Sequence, residues 1–189
     1  MTDEPTALTP ILNATSIAVV GASKSETKRG FQAIRTLVEE RYEGAIYPVN
    51  PKESSILGFP CYPSVSAIEA PVDLALITTP AKTIPGILED CGRKGVRGAV
   101  IIAGGFGETG PEGRALEAEM VRAARENQIR LIGPNTSGMM NLTSSLNLVG
   151  LRDAPRGDIA LLTQSGNMAL TLITEAKLKS LKGFSYYVG

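Results

Sequence analysis

Histidine is absent from all 189 residues. That absence removes a Ser-His-Asp triad, a Cys-His pair, a histidine-ligated zinc and a phosphohistidine from anything this chain does unaided. Cysteine is nearly absent too. Cys61 and Cys91 have neither C-x-x-C spacing nor histidine companions, so they read as ordinary reduced thiols and no metal site is expected. Net charge is lacking, with 19 Lys plus Arg against 19 Asp plus Glu. That balance argues against a strong non-specific surface for nucleic acid or an anionic membrane, so any anion site is expected to be local. The longest apolar runs, such as "GAVIIAGG", fall short of the roughly 18 residues that span a bilayer. The opening "MTDEPTALTPILNAT" starts acidic, carries no basic-then-apolar export pattern, and reads as an extension (1–15) of a cytoplasmic protein.

What is present is a rhythm. Short runs rich in Val and Ile alternate with segments of helical period, as in βαβ units around a parallel sheet. "SIAVVG" (16–21) reads as a first strand and 28–41 as a helix with Phe31, Ile34, Leu37 and Val38 on one face. "GAIYPV" (44–49) is a second strand, followed by a Pro-, Ser- and Gly-rich crossover with room for a short helix at 64–68. "VDLALIT" (72–78) is a third strand, and its unbroken apolar character suits burial on both faces. "AKTIPGILEDCGRKG" reads as a helix with Pro85 in its first turn, Ile84, Ile87 and Leu88 on one face, and Gly95 ending it. "GAVIIAG" (98–104), a helix over 111–127 and "IRLIG" (129–133) complete five strands. Right-handed connections would make these one doubly wound, Rossmann-like α/β sheet over 16–150. The rhythm restarts with "DIALLT" (158–163), a helix and "FSYYVG" (184–189). A lone βαβ unit buries too little to stand alone. Residues 157–189 are therefore expected to begin a second α/β domain that is cut short, or to pack back on the first.

Ligands of such sheets bind beyond the carboxyl ends of the strands, and four segments there are informative. In "GASKSETKRG", Gly21 makes the tight turn, while Ser23, Ser25 and the amides before the helix offer donors to an anion, helped by Lys24, Lys28 and Arg29. The loop departs from G-x-G-x-x-G because Ser23 replaces the second glycine and Gly30 comes late. It also lacks the Lys-Ser ending of a Walker A loop. Taken alone it is equally a solvated turn. The second strand ends "YPVNPK", where an NAD site would place an acidic residue for the ribose. Asn50 and Lys52 instead suit a phosphorylated ribose, as in NADP or the 3′-phospho-ADP of coenzyme A; a plain polar turn is the alternative. In "TTPAKT" and "AGGFGETG", Thr78, Thr79 and Pro80 are small groups beside the site, and Gly104, Gly105 and Gly107 let backbone approach a ligand. Phe106 is placed to pack on a base or an extended arm. Turn chemistry accounts for any one of these segments, but less readily for all four at successive strand ends.

In order, "SIAVVGAS", "GAIYPVNPK", "LGFPCYPSVSAI", "VDLALITTPA", "CGRKGVRGAVIIAGGFGETG", "IRLIGPNTSGMMN" and "GDIALLTQSGNMA" resemble the CoA-binding domain and following ligase domain of NDP-forming acyl-CoA synthetases. These include ADP-forming acetyl-CoA synthetases and relatives of the succinyl-CoA synthetase alpha subunit; the same module is fused to some protein-lysine acetyltransferases. The resemblance implies coenzyme A as cofactor. It matches Gly21, Ser23 and Lys28-Arg29-Gly30, with Lys24 in the same loop, to the first CoA-phosphate loop, and Val49, Asn50, Pro51 and Lys52 to the segment around the adenosine 3′-phosphate. Thr78, Thr79 and Pro80 match the stretch along the pantetheine arm, and Ala103, Gly104, Gly105 and Phe106 the stretch near the thiol. Asn135 lies in the family's Gly-Pro-Asn turn, and Thr136 stands where a cysteine is common, so no thiol chemistry is assigned there. Ser165, Gly166 and Asn167 resemble a phosphate-binding helix start, although Ser165 serves equally as a plain N-cap. A serine nucleophile is unsupported without a G-x-S-x-G elbow or a histidine base.

The family turns acid, CoA and ATP into acyl-CoA, ADP and phosphate, passing phosphoryl through a histidine further along the second domain. Its ATP or ADP and Mg are held by an ATP-grasp domain or subunit. Both features lie outside these residues, so no catalytic residue is expected here. Two other functions stay open: a CoA-sensing module of a protein acetyltransferase, and an NADP-binding oxidoreductase domain. Neither nucleic acid nor membrane is an expected partner, and homo-oligomerisation is left open.

Overall fold

The computed structural model describes residues 8–189. Of the extension expected over 1–15, residues 1–7 lie outside the described residues. The remainder forms a short helix, α1 (Thr9–Leu12), with proline in its first turn and Ile11 fully buried.

The five apolar runs become β1 (Ser16–Val20), β2 (Ala45–Val49), β5 (Leu74–Ile77), β6 (Gly98–Ile101) and β7 (Arg130–Ile132), all parallel in the order β2-β1-β5-β6-β7. The chain turns outward from β1 to β2 and then crosses back to β5 on the other side of β1. The carboxyl ends of β1 and β5 thus flank the switch point where such sheets bind ligands. Alternate side chains sort onto two faces, as the strand period of two requires. Ala18, Val20, Ala75, Ile77, Ala99 and Ile101 pack against α3 (Ile84–Lys94) and α4 (Pro111–Glu126). Ile17, Val19, Leu74, Leu76 and Val100 pack against Ile11 and α2 (Arg29–Glu39). Every residue of β1, β5 and β6 is buried. Asp73 staples the lower ends of the two central strands, because one carboxylate oxygen accepts from the Thr15 amide and hydroxyl, both at 2.8 Å, and from the Ser16 amide at 3.0 Å.

Three local expectations change. Val38 is half-exposed while Phe31, Ile34 and Leu37 are buried; at about 100° per residue it falls between Phe31 and Ile34 on the helix, so it shares their face but lies in the last turn of α2, where that face is no longer covered. The short helix expected at 64–68 is a turn. Ser64 Oγ accepts from the Ala67 amide at 3.2 Å, the Asp90 carboxylate takes the Val65 and Ser66 amides, and a single turn bond follows, from the Ile68 amide to the Val65 carbonyl at 3.1 Å. The crossover also contains a hairpin that periodicity did not show, β3 (Ser55–Ile56) and β4 (Phe59–Pro60). Leu57 and Gly58 make its turn with φ of 51° and 85°, the paired positive values of a type I′ connection. Beside it the outer strand β2 is closed off, since the Tyr62 amide donates to the Pro48 carbonyl at 2.9 Å and the Asn50 amide donates to the Tyr62 carbonyl at 2.9 Å.

After β7 the chain forms a second hairpin, β8 (Met139–Asn141) and β9 (Leu146–Asn147), and then β10 (Arg156–Leu162), α5 (Gly166–Leu178) and β11 (Phe184–Val188). These make a four-stranded sheet, β10-β11-β8-β9, in which β10 and β11 are parallel and the other pairs antiparallel. The last βαβ unit is therefore not alone. β8 is shared between two cores, with Met139 packed beneath α2 and Met140 packed with Ala169, Ile173, Phe184 and Tyr187. The outer side of this unit stays open: β10 is exposed at every residue but Leu161, and Leu162 and Leu178 are 73% and 75% exposed.

Candidate functional site at the sheet's switch point

Gly21 follows β1 with φ of 85°, and its amide donates to the Val49 carbonyl at 3.1 Å. A Cβ there would lie 2.7 Å from Thr78 Oγ1 and 2.9 Å from Thr79 Cγ2. Only glycine satisfies both the backbone and the space. Gly30 does for α2 what the closing glycine of a dinucleotide fingerprint does. A Cβ on it would lie 2.5 Å from the Gly21 carbonyl oxygen and 2.8 Å from Ala22 Cα. Its late position in the sequence hid that role. No side chain caps α2, so its first amides face the loop without an internal acceptor.

The loop between them is organised by its own hydroxyls. Ser23 Oγ accepts from the Ser25 amide at 3.1 Å, and Ser25 and Thr27 hydroxyls pair at 3.1 Å. Asn50 ties this loop to the end of β2, donating from Nδ2 to the Ala22 carbonyl at 2.7 Å while its Oδ1 accepts from the Lys52 amide at 2.9 Å. The Lys24 ammonium meets Glu53 at 2.8 Å across the same rim. Lys52 and Lys28 are exposed.

Beneath the rim is a cleft of about 400 Å³ lined by Gly21, Val49, Asn50, Pro51, Thr79 and Pro80, all expected from the sequence. Its far wall was not expected. Pro63, Ser64 and Val65 from the crossover and Thr83, Gly86, Ile87 and Asp90 from the α3 side complete it. Desolvation acts to raise the Asp90 pKa, but hydrogen bonds from Ser66, Val65 and Arg93 outweigh it and hold the carboxyl below its ordinary value. Asp90 therefore stays ionised and pins the 64–66 wall. The "CYPSVSAI" stretch carried a signal for that wall; nothing marked Asp90. Thr78 braces the junction, its hydroxyl donating to the Val20 carbonyl at 2.9 Å.

A second groove of about 570 Å³ continues from Pro80 past Ala81, Lys82, Gly105 and Thr109 to the start of α4. The Ala103–Gly105 turn lies against Asn135, whose amide donates to the Ala103 carbonyl at 2.9 Å. Glu108 accepts from the amides of Gly105 at 2.5 Å and Phe106 at 3.1 Å, and those bonds lower its pKa. The Phe106 ring is a correction: it is fully buried in the core with Met120 and Ala123, because burying an aromatic ring outweighs leaving it at a wet rim. Arg29 also departs from the loop's other cations, its guanidinium reaching the carbonyls of Ser137 and Val149. At α5, Ser165 Oγ accepts from the Met168 amide at 3.3 Å, so it is an N-cap, and the Gly166 and Asn167 amides start the helix.

Burial pushes the Cys91 thiol up to about 12 and raises that of Cys61, which makes both poor nucleophiles. Among the described residues no group of three His, Cys, Asp or Glu is arranged to hold a metal ion, and no helix is long and apolar enough to cross a membrane.

Residues 15–141 match the family model described as CoA binding domain. The chain belongs to that family. It is 46% identical over 173 residues to the ADP-forming acetate-CoA ligase I of Archaeoglobus fulgidus, covering 91% of this chain and 25% of that protein. With the alpha subunit of the ADP-forming acetate-CoA ligase II of Pyrococcus furiosus the identity is 40% over 176 residues, covering 93% and 38%. Among solved structures, the dinucleotide forming acetyl-coenzyme A synthetase 1 of Ca. Korarchaeum cryptofilum, in complex with phosphate and ADP, superposes with a TM-score of 0.91 at 37% identity, covering 96% of this chain and 39% of that one. The chain thus spans about a quarter to two fifths of the length of these relatives. The CoA-binding domain and its parallel Rossmann-like sheet accord with the resemblance read in the sequence.

Proposed function

We propose that this chain is the coenzyme A-binding part of an ADP-forming acyl-CoA synthetase that converts acid, CoA and ATP to acyl-CoA, ADP and phosphate. The observation that carries the reading is the cleft at the switch point, lined by Asn50 at the end of β2 with Lys52 exposed two residues on, while the nearby acid, Glu53, is paired with Lys24. A cation there favours a sugar bearing a phosphate. Glycine at 21 lets the turn after β1 sit directly against Thr78 and Thr79, which brings the ends of β1 and β5 together at the cleft. Gly21, Ser23, Lys24, Lys28 and the first amides of α2 hold the diphosphate, and Val49, Asn50, Pro51 and Lys52 hold the 3′-phosphoadenosine. The pantetheine arm runs past Thr78, Thr79 and Pro80 toward Ala103, Gly104 and Gly105, while Gly166 and Asn167 at the start of α5 hold a phosphate group. Bound coenzyme A supplies the thiol that accepts the acyl group.

The chain has no histidine, so the phosphoryl-carrying histidine of the reaction is contributed by other residues, and an ATP-grasp domain or subunit holds ATP or ADP and Mg. The protein works in the cytoplasm. The ligase relatives favour this reading over a sensor of a protein acetyltransferase. Calorimetric titration with CoA and dephospho-CoA tests the reading. CoA is expected to bind about tenfold more tightly, ~1.4 kcal/mol, and Lys52→Ala to erase the difference. Equal binding of the two by the unmodified chain, or tighter binding of NADPH, sinks it.

A further inference from the structure

Arg29 is the first residue of α2, the point where the first ligand loop becomes helix. Its guanidinium leaves that loop: Nη1 donates to the Val149 carbonyl at 2.9 Å and Nη2 to the Ser137 carbonyl at 3.1 Å. The acceptors belong to two separate loops, before β8 and after β9. A planar fork with fixed donors serves two such acceptors at once, whereas an ammonium is a single point charge on a flexible stem. The side chain is half-buried, so these carbonyls are what compensates its lost hydration.

Ser137 is shared with the other proposed anion site. Its hydroxyl pairs with the Tyr187 hydroxyl at 2.5 Å, and a Cβ at Gly166 would lie 3.4 Å from Ser137 Cβ. The neighbouring Thr136 hydroxyl donates to the Gly189 carbonyl at 2.6 Å and accepts from the Gly138 amide at 3.1 Å. One short segment, 136–138, therefore touches the start of α2 through Arg29 and the start of α5 through Ser137. Coupling between sites is carried by such contiguous packed and hydrogen-bonded groups.

We propose that Arg29 is a positioning residue, clamping the coenzyme A loop to the start of α5 through Ser137, so that filling the first site is felt at the second. The inference rests on the coenzyme A reading above. Arg29 itself touches neither ligand. It fixes the spacing between the loop that holds the cofactor and the helix start that holds a phosphate group, and a ligand that orders 21–30 also orders 136–138 and 166–169.

The full chain is compared with Arg29→Met and Arg29→Lys, using calorimetry with CoA and amide hydrogen exchange with and without CoA. In the unmodified chain CoA is expected to slow exchange at 166–169 as well as at 21–30. In Arg29→Met affinity for CoA stays within about threefold while the slowing at 166–169 is lost, and Arg29→Lys restores only part of it. A tenfold or greater loss of CoA affinity in Arg29→Met with an unchanged thermal midpoint would make Arg29 a ligand and overturn the clamp. So would slowing at 166–169 that persists in Arg29→Met. Should Arg29→Met fail to fold, Arg29→Lys decides, with full slowing in it counting against the clamp. An unmodified chain that binds CoA without slowing at 166–169 overturns the clamp alone; one that binds no CoA overturns the cofactor reading and the clamp with it.

Discussion

Residues 74–77 read Leu-Ala-Leu-Ile and residues 159–162 read Ile-Ala-Leu-Leu, the same four side chains in a different order. Both form strands, β5 and part of β10. In β5 all four are buried, whereas in β10 Ile159 is 45% and Leu162 is 73% exposed. Burial is therefore not a property of the run. β5 lies between β1 and β6 with α2 on one face and α3 and α4 on the other, while β10 is an edge strand paired only with β11. An apolar strand flanked on both sides and both faces is core; the same strand at an edge is an uncovered apolar surface.

The comparison is broken most strongly by truncating matching leucines. Leu74→Ala leaves a cavity between two packed layers and is expected to cost about 2–5 kcal/mol, read as a fall in the urea midpoint. Leu162→Ala is expected to stay within about 0.5 kcal/mol. A comparable loss for both would mean that the open face is covered in solution.

The acid limb of stability gives a smaller contrast. Desolvation acts to raise the Asp73 pKa, but the bonds from Thr15 and Ser16 outweigh it and leave the value lowered. A carboxyl whose folded pKa is depressed contributes stability that is fully present above its unfolded value, about 4. That contribution is lost as pH falls through the folded value. Asp73→Asn is expected to lower the thermal midpoint at pH 7 and to flatten its decline below pH 4. Asp158, on the open unit, pairs with Lys182 at 3.5 Å with both side chains largely exposed, and Asp158→Asn is expected to leave the profile unchanged. The smallest effect on stability sharpens the comparison in another way. Leu162→Glu with Leu170→Glu should reduce fluorescence of the apolar-surface dye ANS while moving the midpoint little.

The five parallel strands and their helices were legible because the strands are apolar runs set between helices of clear period, which placed even the three-residue β7, and because Pro85 and Gly95 punctuate α3 where expected. The Leu57-Gly58 hairpin and the β8–β9 hairpin were not, since strands of two or three residues display no period. β8 also finds its partner in β11, Met139 opposite Val188, a pairing that only the assembled chain defines. At the candidate site, residues that line the cleft by their place at strand ends, such as Gly21, Val49 and Pro51, were readable from that place. Those that act by the direction of a side chain were less so. Phe106 turns inward to the core, Arg29 turns away to Ser137, and Asp90 reaches the cleft wall from a helix whose pattern says only that it is amphipathic.

Pro48 sits in the outermost strand of the larger sheet, offering no amide, while Tyr62 already claims its carbonyl. An extended segment from another molecule finds no ladder to continue there. The flank that borders the cleft thus offers little purchase for strand addition by a neighbouring molecule.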